Sequence, residues 1–470
     1  MLYGREYEVE LLNKSYKSKQ SDLIAVYGRR RIGKSYLIKQ YGKDKNFWSF
    51  EGLEGQSTPK QIEHFKEQLK VILDDSLLDS IQFKNWNQVF DYLTNKIKSE
   101  DKKVVFFFDE IQWMAANQSK LIALIKYYWD KEWKDLNIQL ILCGSIASFM
   151  VDKVIRSSAL YGRIKHEILV TELQPYAIKQ FFKGKRSLHE ILKYMLVFGG
   201  VPKYFELIDI KESFNKNIEH LAFNRNGYIF NDYEKIFYSQ FKEHTIYEKI
   251  VTHISKHPAE LEKIAQYLKL KSGGGLKRYL TNLELARFIV GQKTISKDNA
   301  KSIKYKLHDE YLRFYFKYIR QHRRLLLNQS GENNHFFKNK IEPVWQPWLG
   351  FAFEHFCYKY NNVILKYLKI ENDVIDIGPY FEKKDPGFQI DLLIKRSDKV
   401  WNLCECKYSE NLIDIGVVKE VQNKINKMNI PNGVTIEPIL ITVNGVDKSV
   451  EKIDYFHAIL TIEDLFSRKA

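Results

Sequence analysis

The fold of the first part of the chain is decided by residues 22–41, DLIAVYGRRRIGKSYLIKQY. The stretch opens with an uninterrupted apolar run at residues 23–27, which is typical of a buried strand. Residues 28–35 then have the spacing G-x-x-x-x-G-K-S of a phosphate-binding loop, and apolar Leu37 and Ile38 follow at a helical spacing. Because strand, loop and helix come in the order that such a loop requires, this context argues against a chance Gly/Lys turn.

The residue types of the loop explain how it would hold a nucleotide. Gly28 and Gly33 let the backbone turn so that its N–H groups face phosphate oxygens, and the positive end of the following helix adds to the attraction. Lys34 is placed to neutralise the β- and γ-phosphates, and the Ser35 hydroxyl to coordinate Mg²⁺. We therefore expect ATP and Mg²⁺ as cofactors. The predicted ATP contacts in the loop are Gly28, Arg29, Arg30, Arg31, Ile32, Gly33, Lys34 and Ser35.

Length and composition indicate a globular, multidomain protein. A chain of 470 residues is too long for one hydrophobic core, and about three domains are expected. No apolar run approaches the roughly 20 residues needed to span a bilayer, so we expect no membrane partner. The charged N-terminus lacks the apolar core of a signal peptide, and the four cysteines fit no zinc or disulfide spacing. These features predict a cytoplasmic protein.

The net charge of +16 is concentrated in the middle of the chain. Residues 243–342 contain 20 basic and 10 acidic residues, whereas residues 343–470 contain 16 basic and 18 acidic ones. A basic segment favours a polyanionic partner, and DNA is the first candidate. The alternative is a solvated, lysine-rich surface.

Two further predicted strands end in polar residues suited to ATP hydrolysis. The apolar run at residues 104–108 is followed by Asp109, which would bind the metal, and Glu110, which would polarise the attacking water. The run at residues 138–143 leads to Ser145, which could sense the γ-phosphate. Strand tips of a parallel α/β sheet meet at one edge, so we expect these side chains to lie near the loop.

Two later features complete the nucleotide-binding prediction. Arg163 precedes an apolar stretch and could reach the nucleotide of its own or a neighbouring subunit, although it could equally be a surface arginine. Residues 199–202, Gly-Gly-Val-Pro, interrupt a helical region with an abrupt bend.

In order and spacing, the first 240 or so residues resemble the archaeal-type P-loop ATPases of the AAA+/STAND class. The matching motifs are Gly4-Arg5-Glu6, residues 28–35, Phe108-Asp109-Glu110, Gly144-Ser145, Tyr161-Gly162-Arg163 and Gly199-Gly200-Val201-Pro202. The resemblance implies a parallel-sheet ATPase core with a helical lid. It also implies that Pro202 lies near the adenine, and it leaves open whether the subunits form a homo-oligomer.

The basic segment has the pattern of a winged helix-turn-helix. Helices are predicted at residues 246–254, 261–268 and 276–285, and two strands at residues 288–290 and 303–307 are separated by a polar, lysine-containing loop. The third helix occupies the recognition position and carries Lys277 and Arg278, the predicted DNA contacts. A winged domain follows the ATPase in the same family, where it sometimes serves only for packing.

The C-terminal segment contains a second set of candidate catalytic residues. Glu354 lies in an aromatic helix predicted at residues 345–360, where a carboxylate is costly unless something binds it. Asp391 and, farther along, Glu405-x-Lys407 lie on predicted paired strands. This pattern, with a helix predicted at residues 417–428, resembles the PD-(D/E)xK, restriction-endonuclease-like nucleases. An acid-x-Lys pair that simply faces solvent is the alternative.

The chemistry of these residue types suits metal-dependent cleavage of a phosphodiester. Asp391 and Glu405 would ligate Mg²⁺, which prefers hard oxygen ligands. Lys407 would orient or help to deprotonate the attacking water, and Glu354 would contribute a direct or indirect metal contact.

The expected fold is therefore α/β throughout. It comprises a P-loop ATPase core at residues 1–175, a helical lid at 176–242, a winged helix-turn-helix at 243–310, a linker helix region at 311–342 and a nuclease-like domain at 343–470. The first functional interpretation is an ATP-controlled protein that binds DNA and cleaves it. The second is an ATP-switched DNA-binding or signalling protein whose inactive nuclease fold is a docking module, and the third is an antitoxin-like or scaffold protein. The choice between DNA and RNA stays open.

Overall fold

The computed structural model describes residues 2–241, 243–271, 273–293, 303–328, 335–382 and 387–468. The chain divides into two compact units, Met1–Glu172 and Leu173–Ala470. In the part of the chain that is described, no helix is both long and apolar enough to cross a membrane.

The first unit is built on a five-stranded parallel sheet with the spatial order β2-β3-β4-β1-β5. The strands are β1 (Asp22–Tyr27), β2 (Asn46–Glu51), β3 (Val104–Asp109), β4 (Ile138–Gly144) and β5 (Ile164–Leu169). All residues of β3 and β4 are buried, which explains their continuous apolar sequences. Because β4 lies between β1 and β3, the residues that follow these three strands meet at one edge of the sheet.

Helices surround this sheet and bury their apolar sides against it. The α-helices are Glu6–Tyr16, Lys34–Gly42, Thr58–Leu73, Trp86–Lys98, Ile111–Met114, Lys120–Lys131 and Ala147–Phe149. Aromatic rings fill much of the core, with Phe50 stacked on Phe65 at a centroid distance of 3.9 Å. The α/β ATPase-type fold with a parallel sheet that the sequence predicts is confirmed.

The second unit begins with helices and a small antiparallel sheet. The α-helices up to residue 285 are Pro175–Ile178, Leu188–Phe198, Pro202–Phe205, Phe214–Ala222, Asp232–Gln240, His244–Ile254, Leu261–Leu268 and Gly274–Leu285. The small sheet contains β6 (Ala259–Glu260), β7 (Ile289–Lys293) and β8 (Ile303–Leu307), in the order β6-β8-β7. The sequence analysis missed β6 because two residues after a His-Pro break carry no alternating pattern. Residues 294–302, within the predicted wing loop, lie outside the described residues.

A connecting helical stretch leads to the C-terminal part of the second unit. Its α-helices are Glu310–Phe314 and Arg320–Asn328, with π-helical turns at Tyr315–Ile319 and Phe337–Ile341. The α-helices that follow are Gln346–Lys359, Asn361–Leu368, Gly416–Lys427, Lys448–Ile453 and Ile462–Leu465.

A five-stranded mixed sheet, ordered β13-β12-β11-β10-β9, forms the centre of this C-terminal part. Its strands are β9 (Val374–Glu382), β10 (Phe388–Arg396), β11 (Val400–Lys407), β12 (Thr435–Thr442) and β13 (Ala458–Leu460). The strands β9, β10 and β11 are antiparallel neighbours, whereas β11, β12 and β13 run parallel. Helix Gly416–Lys427 buries Val417, Val418 and Val421 against this sheet and so holds its polar side beside β11.

Candidate functional site

The phosphate-binding loop has the backbone that its glycines were expected to allow. Gly28 has a φ of 146°, and a Cβ placed there would lie 2.3 Å from the carbonyl oxygen of Val170. Gly33 has a φ of 88° and immediately precedes helix Lys34–Gly42. Both positions therefore require glycine, the first for space and conformation and the second for conformation.

Lys34 lies folded into the loop. Its side chain is buried, and Nζ donates a hydrogen bond to the carbonyl oxygen of Arg29 at 2.9 Å. Burial lowers the pKa of Lys34, against the opposing effect of Cys143, Glu110 and Asp109 nearby. The ammonium group is thus poorly solvated, a state in which a phosphate oxygen is a favourable partner.

Ser35 and Asp109, the two predicted Mg²⁺ ligands, lie in contact. Burial raises the pKa of Asp109, while its hydrogen bond with Ser35 acts in the opposite direction. No group of three or more His, Cys, Asp and Glu side chains suited to a metal occurs among the residues described. A hydroxyl and one carboxylate nevertheless fit Mg²⁺, which usually takes most of its remaining ligands from nucleotide phosphates and water.

Glu110 and Ser145, on the tips of adjacent strands, are directly joined. The Ser145 hydroxyl and backbone N–H donate to Glu110 Oε2 at 2.7 and 3.2 Å. Gln112 donates to the same carboxylate oxygen and, at 3.2 Å, to the Ser145 hydroxyl. The sequence analysis missed Gln112, because its importance depends on the neighbouring strand and no motif reports it.

Two arginines stabilise the surroundings of the loop. Arg5, from the Gly4-Arg5-Glu6 motif, is buried and donates to the carbonyl oxygens of Ile32 at 3.0 Å and Thr171 at 2.8 Å. It thereby ties the loop to the end of the first unit. Arg30 forms an ion pair with Glu54 at 3.0 Å, and its Nε lies 3.5 Å from the Ser145 hydroxyl. Arg5 was not among the predicted ATP contacts, and its role is to hold the loop backbone.

Two nucleotide predictions remain, Arg163 in the first unit and Pro202 in the second. Arg163 makes a two-point ion pair with Asp130, at 2.6 and 2.8 Å, which holds the pKa of Asp130 well below its usual range. Its role as an arginine finger stays a prediction. Pro202 begins a short helix of the second unit, where the carbonyl of Gly200 accepts from Leu173 at 2.8 Å, and its adenine contact also stays a prediction.

The C-terminal candidates are brought together in the second unit. Lys407 Nζ lies 3.0 Å from Glu405 Oε1, and the backbone N–H of Cys406 donates to Asp391 Oδ2 at 2.9 Å. Asp391 and Glu405 both act electrostatically on Glu354 from the neighbouring strands. All four predicted residues therefore share one local environment.

Two carboxyl groups of this cluster, Glu354 and Asp391, have raised pKa values. Burial, together with repulsion from Asp391 and Glu405, raises the pKa of Glu354 to about 7. Burial, followed by repulsion from Glu405, raises the pKa of Asp391 to about 6. Acids held close in this way repel one another unless positive charge lies near them.

Lysines supply the positive charge of the same cluster. Lys424, on helix Gly416–Lys427, donates to both oxygens of buried Glu405 at 2.7 and 2.6 Å. Lys407 also pairs with Glu420 of that helix at 2.9 Å; burial tends to lower the pKa of Lys407, but the two glutamates raise it overall. The sequence analysis missed Lys424, although the Glu420–Lys424 spacing of four places both on one side of a helix.

The predicted DNA contacts lie on the surface of the three-helix segment, which is formed by helices His244–Ile254, Leu261–Leu268 and Gly274–Leu285. Lys277 and Arg278 are exposed on helix Gly274–Leu285, while Leu276, Leu280 and Leu283 are buried beneath it. Tyr279 donates to Glu243 at 2.6 Å and ties this helix to the segment's start. The geometry leaves both basic side chains available to a partner.

Comparisons with known families match two separate parts of the chain. Residues 2–208 match a model described as an ATPase domain predominantly from Archaea. Residues 315–425 match a second model, described as Archaea bacterial proteins of unknown function.

Individual proteins similar to this chain come from archaea. An uncharacterized protein of Methanocaldococcus jannaschii is 26% identical over 416 residues, covering 87% of this chain and 88% of that protein. An uncharacterized ATP-binding protein of the same organism is 40% identical over 45 residues, which are 10% of this chain and 76% of that protein.

Solved structures with partial similarity include two archaeal proteins. A Walker-type ATPase of Pyrococcus abyssi has a TM-score of 0.49 and 21% identity, covering 67% of this chain and 96% of that one. The ORC2 protein of Aeropyrum pernix in its ADPNP–ADP complexes has a TM-score of 0.45 and 14% identity, covering 69% and 96%. The family match and the loop geometry agree: the N-terminal part of this chain is a P-loop ATPase domain of the kind found predominantly in archaea.

Proposed function

We propose that this protein binds ATP with Mg²⁺, hydrolyses it in the first unit, and uses the nucleotide state to control cleavage of DNA by the second unit. The ATPase part rests on the meeting of the loop, Asp109, Glu110 and Ser145 at one edge of the sheet. Lys34 would leave the Arg29 carbonyl for the phosphates, and Ser35 and Asp109 would hold Mg²⁺, which neutralises charge on the phosphate oxygens. Glu110 would orient and polarise the attacking water, with Ser145 fixing its carboxylate.

Two substitutions separate nucleotide binding from turnover. Lys34→Ala removes a charge used in both the bound and transition states, so we expect ATP affinity and hydrolysis to fall together. Glu110→Gln leaves the loop intact and should retain ATP while lowering kcat by about 10²–10⁴-fold. Lys39→Ala, an exposed lysine of the same helix, is the matched control. Hydrolysis by Glu110→Gln at the rate of the unmodified protein would refute the assignment of Glu110.

The nuclease part rests on the clustering of Glu354, Asp391, Glu405 and Lys407. Asp391 and Glu405 would hold Mg²⁺, which supplies Lewis-acid activation of the phosphodiester and the water. Lys407 would stabilise the charge that develops on the phosphate, and Glu354, with its raised pKa, could hold or release a proton at neutral pH. The exposed lysine and arginine at 277 and 278 would position the DNA.

The decisive experiment is incubation of the purified chain with plasmid, linear and single-stranded DNA, with and without ATP and Mg²⁺ or Mn²⁺. We expect metal-dependent loss of substrate that Asp391→Ala abolishes, while ATP hydrolysis and DNA binding stay nearly unchanged. Lys407→Ala should cut slowly and still bind metal. Asp398→Ala, in the exposed turn between β10 and β11, is the control. Cleavage that survives Asp391→Ala would exclude this site.

A second candidate function is favoured by one observation. Lys424 and Lys407 already pair with Glu405, so this carboxylate has cationic partners without a metal. In that case the C-terminal part is an inactive docking module of an ATP-switched DNA-binding or signalling protein. Absence of metal-dependent cleavage, with ATP-dependent DNA binding retained, would support this alternative.

A further inference from the structure

One cation of the phosphate-binding loop lies beside the groups that would direct the attacking water. Arg30 Nε is 3.5 Å from the Ser145 hydroxyl, and that hydroxyl donates to the Glu110 carboxylate at 2.7 Å. The guanidinium also lies over the ring of Trp113, at 5.9 Å from its centroid. Trp113 comes after β3 and Ser145 comes after β4, so Arg30 reaches from the loop to the residues that follow both strands.

The acidic partner of Arg30 is exposed and therefore weakly held. Glu54 Oε2 lies 3.0 Å from Arg30 Nη2, and 54% of the Glu54 side chain is exposed, against 27% of the Arg30 side chain. An ion pair in contact with water contributes little, because hydration competes with it. A phosphate group offers a guanidinium two charged hydrogen bonds at once, so its oxygens are able to displace Glu54.

Arg163, the arginine predicted from the sequence for this kind of role, is held more firmly. It makes a two-point ion pair with Asp130 at 2.6 and 2.8 Å, and its Nη1 donates to the carbonyl oxygen of Tyr161 at 3.2 Å. Two-point pairs of this kind are among the stronger side-chain contacts. Turning Arg163 toward a nucleotide breaks these hydrogen bonds, whereas turning Arg30 toward a phosphate breaks an exposed ion pair.

A structural alternative is that Arg30 only braces the loop. Its pair with Glu54 and its contact with Trp113 would hold the loop against the residues that follow β2 and β3. The position beside Ser145 and Glu110 goes further than bracing requires. Because the attacking water lies next to the γ-phosphate, a cation beside the group that polarises this water lies where hydrolysis builds negative charge.

We propose that Arg30 is a catalytic residue of ATP hydrolysis and acts in cis, by leaving Glu54 for the γ-phosphate. The water oxygen forms a bond to the γ-phosphorus, while the bond from that phosphorus to the oxygen shared with the β-phosphate breaks. The shared oxygen leaves on ADP with the electron pair, and a proton of the water passes through Glu110 to the released phosphate. Arg30 holds the phosphate oxygens on which charge builds. The inference rests on the proposed ATPase function.

The first experiment compares kcat with nucleotide affinity in the full chain with Mg²⁺. Arg30→Ala should lower kcat about 10³-fold, the lower end of what such an arginine contributes, and leave the affinity for ADP unchanged. Affinity for ADP with aluminium fluoride, which imitates the transition state, should fall in parallel with kcat. Arg30→Lys keeps the charge without the planar fork and should recover part of kcat. Lys43→Ala removes an equal charge from an exposed position of the same unit and is the control.

A mixing experiment tests whether the arginine acts in cis. Arg30→Ala retains the loop lysine but lacks the arginine, whereas Lys34→Ala retains the arginine but has an impaired loop. A mixture of the two variants should stay as inactive as its components, because each loop needs its own Arg30. Recovery of hydrolysis on mixing would assign the arginine to a neighbouring subunit and overturn the inference.

Glu54→Gln separates the catalytic role from bracing. If Arg30 leaves Glu54 for the phosphate, removing the carboxylate should strengthen ATP binding by up to about fivefold, the strength of an exposed ion pair. If the pair braces the loop, the same change should weaken ATP binding, and this result would count against the inference.

Two other results would overturn the inference. One is a kcat of Arg30→Ala close to that of the unmodified protein. The other is an equal loss of affinity for ADP and for ADP with aluminium fluoride, together with a lower Tm that Arg30→Lys does not restore, because that pattern indicates bracing. Failure of the unmodified chain to hydrolyse ATP would refute the proposed ATPase function itself, whereas these results with an active unmodified chain refute the role of Arg30 alone.

Discussion

Lys424 donates hydrogen bonds to both carboxylate oxygens of Glu405, at 2.7 and 2.6 Å. Lys424, from the helix after β11, therefore binds the same carboxylate of Glu405 that we propose as a metal ligand. Glu405 is buried, so its charge depends on this partner and on Lys407. The pairing means that Mg²⁺ must compete with an ammonium group, and this competition can be measured.

Lys424→Met should make the protein depend more on metal. Removing one partner of a buried carboxylate should cost about 2 kcal/mol, measured as a lower Tm in EDTA. Mg²⁺ should then raise the Tm more than it does in the unmodified protein, because a ligand that binds only the folded state stabilises it. Lys427→Met, exposed on the same helix, is the control. An equal response to Mg²⁺ in both proteins would show that Glu405 is not a metal ligand.

Ser145→Ala should slow ATP hydrolysis without weakening ATP binding. The hydroxyl contacts the Glu110 carboxylate at 2.7 Å, so its loss should leave the loop intact but allow Glu110 to move. We expect kcat to fall about tenfold, the usual cost of one charged hydrogen bond. Single-turnover hydrolysis and nucleotide titration separate the two effects. Ser99→Ala, an exposed serine of the same unit, is the control, and a loss of ATP affinity equal to the loss in kcat would contradict the prediction.

Protein stability should fall as the pH rises from about 4.5 to about 7. Burial raises the pKa of Glu354 from 4.5 to about 7, so the folded state holds this proton where the unfolded chain has released it. The contribution of protonated Glu354 to the free energy of unfolding is complete below pH 4.5 and is lost above about pH 7. Glu354→Gln should flatten the Tm profile across this window, whereas Glu371→Gln, at an exposed position, should not. If the profiles of Tm against pH are parallel for the Glu354→Gln and unmodified proteins, the prediction is wrong.

Replacing Lys277 and Arg278 with Ala should reduce DNA affinity and lower the salt slope by about one to two units. Both side chains are exposed, so their loss leaves the buried leucines of the helix in place. Filter binding across a salt series measures the effect. Alanine at exposed Lys338 and Lys340 removes the same charge and is the control. An unchanged slope would indicate that the three-helix segment serves for packing.

Local sequence patterns predicted most elements with small errors at their ends. The helix predicted at 261–268 has those bounds, while the one predicted at 276–285 begins earlier, at Gly274. Apolar runs located β1, β3 and β4 because these strands are buried on both faces. The strand β6 was missed, since its two residues are strand only through their pairing with β8.

The candidate sites, too, have parts that local sequence patterns predict and parts that depend on contacts between distant segments. The residue types and spacing of the loop at 28–35 are sufficient to predict its backbone, because a left-handed glycine and a following helix are local properties. The alternation of side chains on adjacent strands likewise allowed us to predict that Asp391 lies near Glu405 and Lys407. These patterns also allowed prediction of the α/β class and of the residues to test.

By itself, then, the amino-acid sequence determined the P-loop, its strand and helix, and the acids that follow the buried strands. Only the tertiary structure decided their partners: Arg5 with the loop carbonyl of Ile32, Ser145 with Glu110, Lys424 with Glu405, and Arg30 with Glu54. The physical reason is how far apart along the sequence the interacting residues lie. Turns and burial follow from neighbours along the chain, whereas hydrogen bonds and charge pairs join segments whose separation in sequence carries no periodic signal.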